Sequence, residues 1–355
     1  MNHNTFITDI SAQSLTISTQ RADDSTKKAI EQFKYEWFSK DENIEACTSG
    51  STGIPSKLLL NKKHMMNSAI MTLSYLKIPK YSSVLLCMPL KFIGAKMVVV
   101  RALVGSLHVI AVTPSSTPLK DLSESPYFAA MTPAQVAASL EDNKQAELLQ
   151  KINTLIIGGG PVNSELFEKI KNFKNNIYST YGMTETMSHI ALKKLTNGLE
   201  REYHPFSGVE LTSDENGCLV ISCNNLGISS LKTKDIVKIN EDGCFNVLGR
   251  LDNTVNTGGI KIQIESIEEK LSQLIDFDFN ISSIDDPILG EKIVILANKK
   301  ISLDELKEYK EFLPNYWAPK ESFYTDILPK TQSGKPARSQ IKKLVRQLKN
   351  EKVSK

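Results

Sequence analysis

Ile152-Asn153-Thr154-Leu155-Ile156-Ile157 runs straight into Gly158-Gly159-Gly160-Pro161, and an amphipathic stretch from Ser164 to Phe173 follows behind Asn163. A short apolar run, a glycine turn and a capped helix in succession is the pattern of a strand buried in a parallel sheet, with its helix crossing back over one face. Asn163 suits the cap because its side chain can accept from an amide of the first turn. The alternation extends in both directions. Ser83 to Met88 and Leu107 to Val112 read as buried strands, and Lys62 to Lys77, Phe92 to Leu103 and Pro133 to Leu140 as helices between them. The fold class is therefore α/β, a sheet layered between helices.

From about Gly208 the texture changes to short strands punctuated by Gly and Asn, as in Glu215 to Ser222 and Glu241 to Gly249, which read as antiparallel hairpins. A third texture follows Arg250-Leu251-Asp252, with a helix near Glu265 to Leu274, a strand near Lys292 to Ala297 and a helix opened by the capping box Ser302-Leu303-Asp304-Glu305. The expected organisation is a large amino-terminal α/β domain over 1–250, with a β-hairpin subdomain at about 208–250, and a small α+β domain over 253–355. The lysine-rich end, Lys342 to Lys355, reads as a solvated helix that frays.

With 355 residues, 41% apolar and 23% charged, the chain can bury a substantial core. Forty-three Lys and Arg against forty Asp and Glu leave +3, too small an excess to point to nucleic acid or an anionic membrane surface. No run approaches the length of a spanning helix, and MNHNTFITDI lacks the profile of a signal peptide, so a cytoplasmic protein is expected. The five cysteines are an odd number without a C-x-x-C pair, and read as reduced thiols rather than a disulfide framework or a zinc site.

Three stretches carry chemistry. In Thr48-Ser49-Gly50-Ser51-Thr52-Gly53-Ile54-Pro55-Ser56-Lys57, small hydroxyl residues alternate with glycine. Such a chain can close its amides and hydroxyls around a phosphate, although the same composition would serve as a flexible linker. It is not a Walker loop, because Pro55-Ser56 stands where Gly-Lys is required. Gly158 to Gly160 lies where α/β sheets hold ligands, at the carboxyl end of a strand, and bare backbone there admits a flat ring; a tight turn would need the same residues. Tyr178-Ser179-Thr180-Tyr181-Gly182-Met183-Thr184-Glu185-Thr186 places hydroxyls beside a carboxylate, a combination that suits Mg²⁺ next to phosphate.

The runs TSGSTGIPSK, YGMTET, GRLDNTVNTGGIKIQ and LPKTQSGKPARSQI, in that order over residues 48–341, resemble the acyl-adenylate-forming superfamily of acyl-CoA synthetases, luciferases and adenylation domains. Within it, the compact length and GMTETMSHIAL look most like the o-succinylbenzoate-CoA ligases of menaquinone biosynthesis. Against the family pattern little chain precedes Thr48, so a shortened amino-terminal part is expected. Other departures are Ser56 before Lys57, which puts that lysine's usual role in doubt, Lys91-Phe92 where a histidine is common after Pro-Leu, and Lys234 within Thr233-Lys234-Asp235.

The resemblance implies ATP, Mg²⁺, coenzyme A and a small carboxylic acid as ligands. It implies that Thr48, Ser49, Gly50, Ser51, Thr52 and Gly53 hold the β- and γ-phosphates, that Gly158 to Gly160, Tyr181 and Gly182 form the adenine slot, and that Thr184 touches the α-phosphate while Glu185 holds the metal. Asp235 and Arg250 would bind ribose, and Lys335 would be the lysine of adenylation. Leu251-Asp252 would be a hinge, with Asp252 its key residue, about which the carboxyl-terminal domain turns, bringing Gly258 and Gly259 to the pantetheine path. A second substrate carboxylate needs a cation or donor, for which Lys96, Arg101, Ser188 and His189 are candidates, each equally readable as a surface or structural residue. The resemblance also leaves open another aryl- or fatty-acid ligase, an adenylation domain that loads a carrier protein, and a non-catalytic relative. The last would be expected to lack Lys335 or Glu185, and both are present.

Overall fold

The computed structural model describes residues 15–47, 57–331 and 336–353. The amino-terminal part runs β1 (Thr16–Arg21), α1 (Asp24–Phe38), β2 (Asn43–Cys47), β3 (Lys57–Asn61), α2 (Lys62–Leu76), β4 (Ser83–Leu86), α3 (Ile93–Gly105), β5 (His108–Val112), β6 (Phe128–Met131), α4 (Pro133–Leu140), α5 (Asn143–Lys151), β7 (Thr154–Ile157), α6 (Ser164–Ile170), β8 (Asn176–Met183), β9 (Ser188–Lys194) and β10 (His204–Pro205). An eight-stranded sheet orders these strands β1-β5-β4-β6-β7-β8-β9-β10. Pairing is parallel from β1 through β8 and turns antiparallel at β9 and β10.

The apolar runs are explained by cover on both faces. Along β4, Val84 and Leu86 join one core with Phe33 of α1, Met65 of α2 and Val98 of α3, while Leu85 joins a second with Val136, Leu149 and Ile170 from α4, α5 and α6. A strand with no solvent face has no polar alternation. Helix entries carry the capping chemistry: Asp23, Asn61, Asp142 and Asn163 each accept an amide of the first turn, and Thr132 and Ser302 form complete capping boxes. Each such cap is worth about 1 kcal/mol.

The hairpin region is a four-stranded antiparallel sheet of β11 (Glu210–Ser213), β12 (Cys218–Cys223), β13 (Ile228–Ile239) and β14 (Phe245–Arg250). The remainder comprises β15 (Thr254–Thr257), β16 (Ile260–Gln263), α7 (Ile264–Leu271), β17 (Phe279–Asp286), β18 (Gly290–Ala297), α8 (Leu303–Phe312), β19 (Glu321–Tyr324) and α9 (Arg338–Val353). Its sheet runs β16-β15-β18-β17, with β19 parallel to β18, and it has cores of its own on both faces. The chain is thus α/β, a large sheet-rich part followed by a small α/β part.

One expectation needs correction. The lysine-rich carboxyl-terminal helix is not simply solvated: Ile341 and Val345, one turn apart on α9, are buried against Ile284, Leu296 and Phe323. All five cysteines are free thiols, four of them buried. Among the described residues no helix is long and apolar enough to cross a membrane.

Candidate active site

Parallel pairing of β7 with β8, register Ile157 to Ser179, sets the glycine turn and the Tyr181 segment side by side at the carboxyl ends of adjacent strands. The contact is close. A Cβ on Gly158 would stand 2.5 Å from Thr180 Oγ1, and the Gly158 amide donates to Met131 O at 3.0 Å. A bulge then breaks the β8–β9 register between Tyr181 and Gly182. A Cβ on Gly182 would meet Ser188 O at 2.2 Å and His189 Cα at 2.4 Å, so only glycine lets the backbones cross there.

The turn from β8 to β9 displays Thr184 and Glu185, the latter exposed. Thr186 holds it: its buried Oγ1 accepts from the Met183 amide at 2.9 Å and donates to Ser188 O at 2.6 Å. Such a fixed turn presents the Glu185 carboxylate, a hard oxygen donor, to solvent.

Tyr181 is pinned at both ends. Its ring meets Phe245 edge-to-face at 5.1 Å and Tyr203 at 6.0 Å, and its hydroxyl donates to Asp235 Oδ2 at 2.7 Å. Burial first, then the Asp235 charge, pushes this phenol upward, so it stays a donor. Arg250 Nη1 donates to the other oxygen, Oδ1, at 2.8 Å. A carboxylate offers about four lone-pair sites. Among the described residues two are filled, by Tyr181 and Arg250, and the two that remain, one on each oxygen, have the spacing to match a vicinal diol.

The same arginine holds Asp252 through Nε at 3.0 Å and Nη2 at 3.2 Å, and Lys234 reaches Asp252 at 3.5 Å. Burial opposes the charge on Arg250, but Asp252 and Asp235 outweigh it and raise its pKa. On Asp252 burial is likewise outweighed, here by Arg250, and the carboxyl is lowered. Lys234, the departure from the family pattern, thus pairs with the expected hinge residue.

Of the four candidates for a second carboxylate, three come together. Arg101, 1% exposed, donates from Nη2 to Ser188 Oγ at 3.1 Å; Ser188 Oγ lies 3.2 Å from His189 Nδ1, and His189 Nε2 lies 3.0 Å from Thr72 Oγ1. Thr72 already donates its proton to Ser68 O. It must therefore accept from Nε2–H, which leaves Nδ1 bare to accept from Ser188. Every donor points away from the guanidinium, and no carboxylate answers it among the described residues. Arg101 Nε has no partner there, and burial alone pulls the group down to about 9.

Lys96 is not part of this cluster. Five residues before Arg101 on α3, it is rotated by about 140°, and its Nζ lies over the Phe33 ring at 4.9 Å. Burial lowers its pKa while Glu36 and Glu45 oppose the shift, which puts it on the α1 and β2 side of the helix. Lys57 forms an exposed ion pair with Glu45 at 3.0 Å. Thr48 to Gly53 and Lys335 lie outside the described residues. Gly258 and Gly259, φ 59° and 80°, make the two-residue turn between β15 and β16, which requires left-handed backbone at both positions.

His189 carries a measurable consequence. Burial, then Arg101, holds its pKa well below the ordinary 6.5, so the folded chain binds no proton there when the unfolded chain does. Stability therefore falls as pH drops below the unfolded value, by up to about 1.4 kcal/mol per pH unit. Urea midpoints of the wild type between about pH 6.5 and 5.5 should show this slope, and His189→Gln should flatten it.

A family model described as AMP-binding enzyme matches residues 11–219. The chain belongs to the AMP-binding enzyme family. This AMP-binding enzyme is of the AMP-forming acid–thiol ligase class. It is 25% identical over 336 residues to the 2-succinylbenzoate–CoA ligase of Geobacillus sp. strain WCH70, covering 84% of this chain and 68% of that one. The Bacillus subtilis 2-succinylbenzoate–CoA ligase is 24% identical over 362 aligned positions, 92% of this chain and 74% of that one. Among solved structures, an acyl-CoA synthetase (AMP-forming)/AMP-acid ligase II-like protein from Dyadobacter fermentans matches with TM-score 0.63 at 27% identity, over 93% and 96% of the two chains. The Bacillus subtilis o-succinylbenzoate CoA synthetase in complex with ATP and magnesium matches with TM-score 0.69 at 21% identity, over 84% and 69%, and shares the fold.

Proposed function

We propose that this AMP-binding enzyme joins an aromatic dicarboxylic acid of the o-succinylbenzoate type to coenzyme A in two steps. A substrate carboxylate oxygen attacks the α-phosphorus of ATP and expels pyrophosphate; the coenzyme A thiol then attacks the acyl carbon and expels AMP, losing its proton. The observation that carries the substrate class is Arg101, a fully buried cation with, among the described residues, an unpartnered Nε and no carboxylate opposite it. An isolated buried charge is costly. A ligand carboxylate offsets that cost, and the relatives named 2-succinylbenzoate–CoA ligases support the same reading.

Tyr181 would stack on adenine, its orientation set by Phe245 and Asp235, and Asp235 would take both ribose hydroxyls on its free lone pairs with Arg250 beside it. Gly158 to Gly160 would admit the ring edge. Thr48 to Gly53 would cradle the β- and γ-phosphates, Thr184 the α-phosphate, and Glu185 would hold Mg²⁺, whose bound charge offsets that of the phosphates. Lys335 would stabilise the charge that builds as two anions meet. We assign 1–250 to nucleotide and acid binding, Asp252 to a hinge, and 253–355 to a domain that presents Lys335 in one step and Gly258-Gly259 in the other.

A screen of pyrophosphate release across mono- and dicarboxylic acids, followed by addition of coenzyme A or a carrier protein, tests the whole reading. Release with aromatic dicarboxylates and thioester formed on free coenzyme A supports it; preference for fatty acids, or transfer only to a carrier, refutes it. Glu185→Gln keeps the shape and loses the charge. The Mg²⁺ concentration for half-maximal rate should rise about tenfold, as for a lost interaction of about 1.4 kcal/mol. An unchanged Mg²⁺ titration removes Glu185 from the metal site.

A further inference from the structure

We propose that Cys244, Asp242 and Glu202, with His204 beside the thiol, form a binding site for a zinc-class divalent cation at the turn between β13 and β14. The Cys244 sulfur and one carboxylate oxygen each from Asp242 and Glu202 lie within 4.8 Å of one another, and His204 Nδ1 stands 3.1 Å from that sulfur. One soft sulfur and two hard oxygens make a three-donor set of the kind Zn²⁺ takes, and His204, outside that mutual spacing but against the sulfur, is placed to swing in as the fourth. Sulfur and nitrogen bound to one zinc stand about 3.5 Å apart given their bond lengths. The observed pair needs to open by only a few tenths of an ångström.

The surroundings hold each donor in place. Behind His204, Nε2 faces Glu200 Oε2 at 3.6 Å, and Glu200 is itself fixed by the Lys194 amide at 2.8 Å. A carboxylate behind the distal nitrogen is the arrangement that orients a metal-binding imidazole. Asp242 Oδ1 accepts the Cys244 amide at 3.0 Å and the same carboxylate accepts from the Cys244 thiol, whose proton a bound cation would displace, while Glu202 Oε1 accepts from Asn246 Nδ2 at 3.3 Å. No lysine or arginine forms an ion pair with Glu202 or Asp242 among the described residues. Among the described residues, two carboxylates therefore stand beside the thiol, and a third behind the imidazole, with no lysine or arginine paired to the first two.

The location gives such an ion work to do. Tyr203 and Phe245 exchange backbone hydrogen bonds of 2.8 and 3.0 Å, so Glu202 and His204 flank one member of this pair while Cys244 flanks the other. Bound there, the ion ties β10, at the edge of the large sheet, to the turn between β13 and β14. That is directly behind the Tyr203 and Phe245 rings against which Tyr181 rests. Cysteine spacing could not reveal it, because the thiol and the imidazole are 40 residues apart.

The test uses the full chain stripped with chelator and titrated with Co²⁺ as an optical probe for Zn²⁺. One equivalent should give a thiolate-to-cobalt charge-transfer band that Zn²⁺ displaces, and Zn²⁺ should raise the unfolding midpoint. Cys244→Ser should abolish the band. Glu200→Gln should weaken binding by about 10- to 100-fold while keeping it. Asp242→Asn, at an exposed position that leaves the core intact, should weaken it at least about tenfold and keeps the test decisive should Cys244→Ser fail to fold. Absence of a band at one equivalent, or a band unchanged in Cys244→Ser or Asp242→Asn, overturns the proposal. None of these readouts depends on ligase activity.

Discussion

Arg101→Gln is expected to lower kcat/KM for an aromatic dicarboxylate by about two to three orders of magnitude, because truncating one partner of a buried, hydrogen-bonded charge pair costs about 2–5 kcal/mol. The loss should vanish when the second carboxylate of the acid is masked as its methyl ester, since the ester presents no charge for the arginine to meet. Stability should move the other way. Glutamine can still donate to Ser188, and the variant no longer buries a cation that lacks a counter-charge among the described residues, so its unfolding midpoint should equal or exceed that of the parent. A structural arginine would behave oppositely, lowering the midpoint and affecting both acids alike. Equal kinetics for parent and variant on the dicarboxylate would remove Arg101 from substrate recognition. Lys96→Ala serves as the control: its ammonium lies against Phe33, away from Ser188 and His189, so it should leave the ratio between diacid and ester unchanged.

Separating the half-reactions should reveal the second large effect. Lys335→Ala should lose adenylation by about two to three orders of magnitude, the range for removing one preorganised donor to transition-state charge. It should still convert preformed acyl-adenylate and coenzyme A to thioester. Gly259→Leu should show the reverse. Among the described residues nothing lies within 4 Å of a Cβ built at Gly259, so an added side chain starts into open space. It does inherit a φ of 80°, a strain worth about 1–2 kcal/mol for a residue with a Cβ, so Gly259→Asn, which tolerates that backbone at smaller volume, controls for the turn itself. Asp252→Pro fixes φ near about −65° and should slow whichever step needs the orientation it disfavours. Equal loss of both half-reactions in Lys335→Ala and Gly259→Leu would end the two-orientation scheme.

What could be read from sequence follows from the range of the interaction. Val84 to Leu86 and Leu155 to Ile157 were legible as buried strands because both faces of the sheet are covered, and Pro133 to Leu140 coincides with α4 because its cap is local. β1 was not: its half-exposed pattern carries no apolar run. α9 was misread because its lysines outnumber the Ile341 and Val345 that dock it. In the site, contiguous motifs announced Tyr181, Thr184, Glu185 and Asp235. The contacts that build the candidate site join residues far apart, Tyr181 to Asp235 across 54 residues, Arg101 to Ser188 across 87 and Thr72 to His189 across 117. No periodicity records those, and neither Thr72 nor the wall of Tyr203 and Phe245 has a local signal of its own.

The strand order of the large sheet also governs how it comes apart. β6, β7, β8 and β9 pair in chain order, each closing a short connection, whereas β1 joins β5 across a loop in which Ser18 meets His108 after 90 residues. Loop-closure entropy grows with the logarithm of that length, and a half-exposed strand recovers little of it through apolar burial. Partial unfolding is therefore cheapest at the β1 edge. Amides there should exchange through a local opening while β7, β8 and the bulge at Gly182 remain paired. The enzyme can fray at one margin of its sheet several strands away from the proposed nucleotide site.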